Sequence, residues 1–245
     1  MPANTFEAVR EQPEGRQMIK RKRVAVYGGT FNPIHNGHLA LAEHILTHDI
    51  ADEVLFMPTP DPPHKPKKDL ATFVDRCNMI WNAIDGSGYE DVMSYSKLEE
   101  ELPMPSYTLQ TLDALSSKML DKDFMWVIGA DELNSLHTWD PDPIRLVRSY
   151  EFITFLRKGV SVDLSDLNAH WPGWICQRLL NGVVYDADLP EISSTAIRQH
   201  IKDHNGVDED MVPHNVSSYI SKYQLYGFKS FIKLASREIR MSSGG

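Results

Sequence analysis

"RVAVYGGTFNPIHNGHLALAEHILTHD", from Arg23 to Asp49, holds three local structures in succession. Its first five residues are a β-branched run of the kind that fills a buried strand, and Gly28 and Gly29 close it. Beyond Gly37, Leu39, Ala42 and Leu46 recur at helical spacing. Strand, glycine turn and helix in that order open a parallel α/β sheet. His35 and His38 stand three apart where the helix begins, so both project from one face.

The unit repeats along the chain. "EVLFMP" reads as strand, "FVDRCNMIWNAI" as helix, "DVMSYS" as strand, "TLQTLDALSSKM" as helix, and "FMWVIGA" and "EFITFLRKG" as strands. After Gly159 the pattern weakens until "GVVYDA" supplies another strand and "STAIRQHIKDH" and "NVSSYISKY" two short helices. Strands alternating with helices predict an α/β fold with a doubly wound parallel sheet, a single domain carrying a short C-terminal helical part. The boundaries expected are a polar, aperiodic leader over 1–22, the domain over 23–227 and an extension over 228–245. "FKSFIKLASREIR" in that extension is an amphipathic basic helix candidate that could cap the core or pack on a second subunit of a homo-oligomer.

Composition excludes several functions. A chain of 245 residues, 42% hydrophobic, suits one sizeable core. The net charge of −9 gives no basic field for a nucleic acid backbone. Cys77 and Cys176 lie far apart without metal-ligand spacing, which fits free thiols in a reducing cytoplasm. The N-terminal residues carry Glu7, Glu11 and Glu14 and no apolar segment, so no signal peptide is read there, and no run is long enough for a membrane span.

In a doubly wound sheet the loops after the strands hold the ligand. The first loop is neither a Gly-x-x-x-x-Gly-Lys-Ser/Thr run nor a Gly-x-Gly-x-x-Gly fingerprint. Gly28 and Gly29 let backbone approach a ligand, and the helix start that follows favours an anion. A pair of imidazoles there can donate to that anion, and an imidazole gains charge near neutral pH as negative charge grows. Gly37 between them removes a side chain that would crowd the site. Zinc is the competing use of histidine, with His44 and His48 following at helical spacing. No His-Glu-x-x-His order or cysteine pair accompanies them, and they read as outer-helix residues.

"GGTFNPIHNGHL" resembles the His-x-Gly-His signature of the nucleotidyltransferase superfamily, and "ISSTAIR", Ile192 to Arg198, resembles its second signature. "PDPPHK", "PSYTLQTL", "IGADELNSLHTW" and "MVPHNVSSYISKYQLYG" resemble, in order, segments of bacterial nicotinate mononucleotide adenylyltransferases. The likeness covers roughly Arg23 to Gly227 and implies a Rossmann-like nucleotidyltransferase fold. It also implies transfer of the adenylyl group of ATP to nicotinate mononucleotide, giving deamido-NAD and pyrophosphate. Nicotinamide mononucleotide is the rival substrate, and a non-catalytic nucleotide-binding module is the rival class.

By the same resemblance the catalytic contacts fall to His35, His38 and Arg198, and the ATP site to Gly28, Gly29, Thr30, Phe31, Gly129, Asp131, Ser193, Ser194 and Thr195. The mononucleotide would meet His64, Lys65, Arg76, Tyr107, Thr108 and Trp139. Mg²⁺ would arrive with ATP, held by phosphate and water, with no protein carboxylate cage. Asn32 stands where Asp is commoner in such proteins, which leaves a turn role open to it.

Overall fold

The computed structural model describes residues 20–62, 69–156, 160–185, 187 and 189–229. Six strands form one sheet: β1 (Lys22–Gly29), β2 (Glu53–Pro58), β3 (Met93–Tyr95), β4 (Lys122–Gly129), β5 (Glu151–Phe155) and β6 (Val183–Val184). All neighbouring pairs are parallel and the order is β3-β2-β1-β4-β5-β6. The chain winds outward from β1 in one direction and from β4 in the other, so the crevice for a ligand opens at the carboxyl ends of β1 and β4.

Ten helices cover the sheet among the described residues: α1 (Asn36–Thr47), α2 (Phe73–Ile84), α3 (Leu98–Glu101), α4 (Thr108–Lys118), α5 (Ala130–Ser135), α6 (Pro143–Ser149), α7 (Leu164–His170), α8 (Gly173–Asn181), α9 (Ser194–His204) and α10 (His214–Tyr223). Strand residues alternate between two cores. Ala25, Val54 and Phe56 face Ile45, Ile80, Ile197 and Ile220 of α1, α2, α9 and α10. Val24, Val26, Leu55 and Met57 face Leu112, Leu146 and Ile175 of α4, α6 and α8. Burial on both faces is why the strands read as near-continuous apolar runs.

The predicted strands and long helices are present. β1 begins at Lys22, inside the stretch read as leader. The weakly patterned span after Gly159 contains α7, capped by the Asp163 carboxylate, and α8, which follows Pro172 and buries Ile175, Cys176 and Leu179. Both are short, seven and nine residues, so periodicity alone passes over them. The helix expected from Phe228 onward lies outside the described residues beyond Lys229.

Candidate active site

The site is built outward from the end of β1. A Cβ on Gly28 would come within 2.5 Å of the Trp126 ring of β4, and one on Gly29 within 3.0 Å of the Phe31 ring. The double glycine thus admits two aromatic rings, where the sequence suggested close approach of a ligand. Phe31 has φ of 48°, a left-handed value that turns the chain and drops its ring among Tyr27, Phe56 and His38.

Asn32 holds the turn. Its Nδ2 donates to Asp69 O at 2.8 Å, while its Oδ1 accepts from Ala71 N–H at 3.0 Å and from the Tyr226 hydroxyl at 2.9 Å. The side chain is 4% exposed. Both amide groups are therefore used structurally.

His35 is the residue before α1 and is buried, and its ring stacks on that of His38 with centroids 3.6 Å apart. His38 Nδ1 accepts the His35 backbone N–H at 3.2 Å. A Cβ on Gly37 would press on the His35 ring and on Pro190 O, at 3.1 and 3.2 Å, so this glycine seats the imidazole pair against the segment leading into α9.

The second signature docks on the same turn. Ser193 caps α9 by accepting Ala196 N–H at 3.1 Å, and Ser194 Oγ donates to Pro33 O at 2.9 Å. Arg198 donates through Nη1 to Asn32 O at 2.8 Å and through Nη2 to Thr195 Oγ1 at 3.2 Å. The starts of α1 and α9 meet at residues 32–35, and that junction brings together His35, His38, Ser194 and Arg198.

Beside the junction lies a cavity of about 320 Å³. Of the expected residues, Gly28, Gly29, Thr30, Thr108 and Trp139 line it. Thr59, Pro62, Glu99, Ser106, Trp126 and Glu132 line it too, and sequence reasoning named none of them for the site. Tyr107 precedes α4 at the same helix start as Thr108.

Glu132 had a readable signal. As the third residue of α5 its Oε2 accepts the Gly129 N–H at 2.8 Å, the half of a capping box that a carboxyl at that position can supply when glycine precedes the helix. Asp131 is exposed, and a Cβ on Gly129 would meet its Oδ1 at 2.5 Å.

Arg76 departs from expectation. It is 0% exposed and donates to Ala71 O, Thr30 O and Pro60 O at 3.3, 2.7 and 2.9 Å. A guanidinium spent on three carbonyls braces the loops after β1 and β2 and is not presented to a mononucleotide. His64 and Lys65 lie outside the described residues.

Among the described residues one cluster of metal-binding side chains occurs, His137, Asp166 and His170, with ligand atoms within 4.8 Å of one another. The two rings stack at 3.7 Å and 9°, so their in-plane lone pairs run side by side and do not converge on one ion.

A doubly wound sheet with an imidazole pair and a guanidinium joined at the β1 turn defines a nucleotidyltransferase-like α/β protein. The chain belongs to the cytidylyltransferase-like family, whose pattern matches residues 26–200, and within it to the group of nicotinate-nucleotide adenylyltransferases. It is 35% identical over 84% of its length, and 96% of the relative's, to a protein of Synechococcus sp. (strain JA-3-3Ab) named "Probable nicotinate-nucleotide adenylyltransferase". A protein of the same name from Lactiplantibacillus plantarum is 34% identical over 85% of this chain and 90% of its own. In fold it is similar to the Plasmodium falciparum nicotinic acid mononucleotide adenylyltransferase complexed with NaAD, with a TM-score of 0.68 at 22% identity over 85% of this chain and 98% of that one.

Proposed function

We propose that this protein transfers the adenylyl group of ATP to nicotinate mononucleotide, releasing pyrophosphate and giving deamido-NAD in NAD biosynthesis. The observation that carries the reading is the docking of Ser194 and Arg198 onto residues 32–33, beside His35 and His38 and next to a cavity walled by Thr108 and Trp139.

The 5′-phosphate of the mononucleotide attacks the α-phosphorus of ATP in line, its oxygen forming the new P–O bond as the bond to pyrophosphate breaks. Both reactants are phosphates, so no protein nucleophile is needed and catalysis is positioning plus stabilisation of developing charge. Because His38 Nδ1 is an acceptor, a neutral His38 carries its proton on Nε2, where it can donate to a phosphoryl oxygen. Arg198 supplies fixed positive charge to the departing phosphates, and the start of α9 adds backbone N–H donors. Trp139 offers an aromatic face to the pyridinium ring, and the start of α4 at Thr108 offers N–H groups to the ring's carboxylate.

For a divalent ion, the donors on the cavity wall are hydroxyls and the carboxyls of Glu99 and Glu132, the latter already accepting from Gly129. That set fits Mg²⁺ carried in by the triphosphate and held by phosphate oxygens and water, where it would neutralise phosphate charge. The free thiols Cys77 and Cys176 support a cytoplasmic setting.

The test is pyrophosphate release by the purified protein with ATP, Mg²⁺ and either nicotinate or nicotinamide mononucleotide. Turnover with a higher kcat/KM for the nicotinate form is expected. Equal values would remove the nicotinate preference, and no turnover with either would leave a nucleotide-binding module.

A further inference from the structure

The Tyr226 hydroxyl reaches Asn32 Oδ1 from a 3₁₀ turn over Leu225–Gly227, 194 residues further along the chain. Both ends of that bond sit on backbone that L side chains rarely adopt. Phe31, next to Asn32, has φ of 48°, and Tyr226 itself has φ of 58°, with Gln224 at 53° and Gly227 at 86° to either side. A left-handed aromatic residue persists only where its surroundings enforce it. Here the reversal turns Tyr226 inward, and it packs with Leu225 and Phe228 against the core that holds Ile197 and Ile201 of α9.

The same turn is tied to α9 directly. Asn205, the residue that ends α9, donates through Nδ2 to Lys229 O at 2.9 Å and accepts the Lys229 N–H on Oδ1 at 2.6 Å. Residues 224–229 therefore form a strap fastened at Asn205 to α9 and at Asn32 to the turn before α1.

Arg198 of α9 rests on the residue that the strap holds. Its Nη1 donates to Asn32 O, while the Asn32 side chain is gripped by Ala71 N–H and Asp69 O on one side and by the Tyr226 hydroxyl on the other. That grip fixes the place of the Asn32 carbonyl, and a guanidinium anchored at one edge presents its other N–H groups in a fixed plane. We propose that Tyr226 is a positioning residue for adenylyl transfer, its hydroxyl holding Asn32 so that the Asn32 carbonyl keeps Arg198 aimed at the departing phosphates. The inference rests on the reaction proposed above. Without the hydroxyl, Asn32 is held from the side of Ala71 and Asp69, and the guanidinium swings away from the geometry that the transition state needs.

The experiment is Tyr226→Phe, alone and combined with Arg198→Ala, assayed by pyrophosphate release with ATP, Mg²⁺ and nicotinate mononucleotide. Tyr226→Phe should lower kcat about tenfold and leave both KM values within about twofold of the wild type. In the Arg198→Ala background it should change kcat by less than about twofold, because the hydroxyl acts through that guanidinium. A loss of equal size in both backgrounds would make Tyr226 a scaffold residue and overturn the inference, as would an unchanged kcat or a loss confined to KM. Should Tyr226→Phe not fold, Asn205→Gly replaces it, since glycine keeps the left-handed φ of 51° there and drops both bonds to Lys229. A kcat lowered about threefold, and unaffected once Arg198→Ala is present, is then expected; no loss, or equal loss in both backgrounds, overturns the inference. If the wild type shows no turnover, the adenylyl transfer itself fails, and NMR relaxation at Arg198 Nε tests Tyr226 separately. Greater mobility of Arg198 in Tyr226→Phe, or in Asn205→Gly, with Arg23 unchanged, supports the inference, and equal mobility overturns it.

Discussion

His38 Nδ1 accepts the backbone N–H of His35 at 3.2 Å, in a ring stacked 3.6 Å from that of His35. This bond fixes which nitrogen of a neutral His38 bears the proton, so the donor faces away from the helix start. A donor matched to charge that appears only in the transition state raises kcat more than affinity. His38→Ala should therefore lower kcat by about 10² to 10³ while the ATP dissociation constant changes little. Steady-state kinetics with calorimetric ATP titration check this. A collapse of ATP binding with kcat at saturation preserved would make His38 a ground-state contact.

Trp139 follows a short 3₁₀ turn over Leu136–Thr138 and is half-buried on the cavity wall. It shares the cavity wall with Thr108, and neither His35 nor His38 is on that wall, so the indole is expected to serve only the mononucleotide. Trp139→Ala should raise KM for the mononucleotide roughly tenfold and leave KM for ATP near the wild-type value, with Trp139→Phe recovering most of the loss. Equal rises in both KM values would mean that the indole supports the whole crevice.

What could be read from the sequence follows the range of the interactions. Val24, Val26, Leu55 and Met57 sit in strands buried on both faces, so composition alone marks them, and the capping residues of α9 are contiguous in "ISSTAIR". The imidazole pair was legible because residues three apart at a helix start share a face. Gly28 lines the cavity and has a second reason that the sequence did not show, Trp126, brought alongside from β4 by strand pairing. Glu99 sits in the acidic run "LEEE", which reads as a solvated face until Thr111 and Ser106 close over it. At Gly28 and Glu99 the deciding partner lies on another element, which no local pattern encodes.

Asp52 and Arg23 tie the loop before β2 to the start of β1, with Nη2 to Oδ1 at 2.9 Å and the Arg23 N–H to Oδ2 at 2.8 Å. These bonds from Arg23 hold the Asp52 carboxyl at about 2, below the ordinary carboxylate value. A depressed folded-state pKa contributes stability above the unfolded value, near 4, that is lost as pH falls from there to about 2. The pair is about a third exposed, so the effect is at most about 1 kcal/mol. Asp52→Asn should lower the denaturation midpoint slightly at pH 7, and the difference should vanish near pH 2. A difference that grew in acid would reverse the sign.

Arg76 is the sharpest test of where the scaffold ends and the binding surface begins. Its side chain is wholly buried, and its guanidinium joins Ala71 O, Thr30 O and Pro60 O, so that one cation gathers three loop carbonyls. Burial lowers its pKa, which marks the cost of keeping the charge there; the carbonyl bonds offset that cost. Arg76→Met would fill similar volume and leave three acceptors without their donor. Each such loss costs about 1 to 3 kcal/mol, so a total of about 3 kcal/mol or more is expected. In a chain of this size that lowers Tm by about 6 to 12 °C. The enzyme that remains folded at low temperature should keep its KM for the mononucleotide within about threefold. A mononucleotide KM raised by a hundredfold at unchanged Tm would instead make Arg76 a ligand contact, and the loops after β1 and β2 would then need another brace.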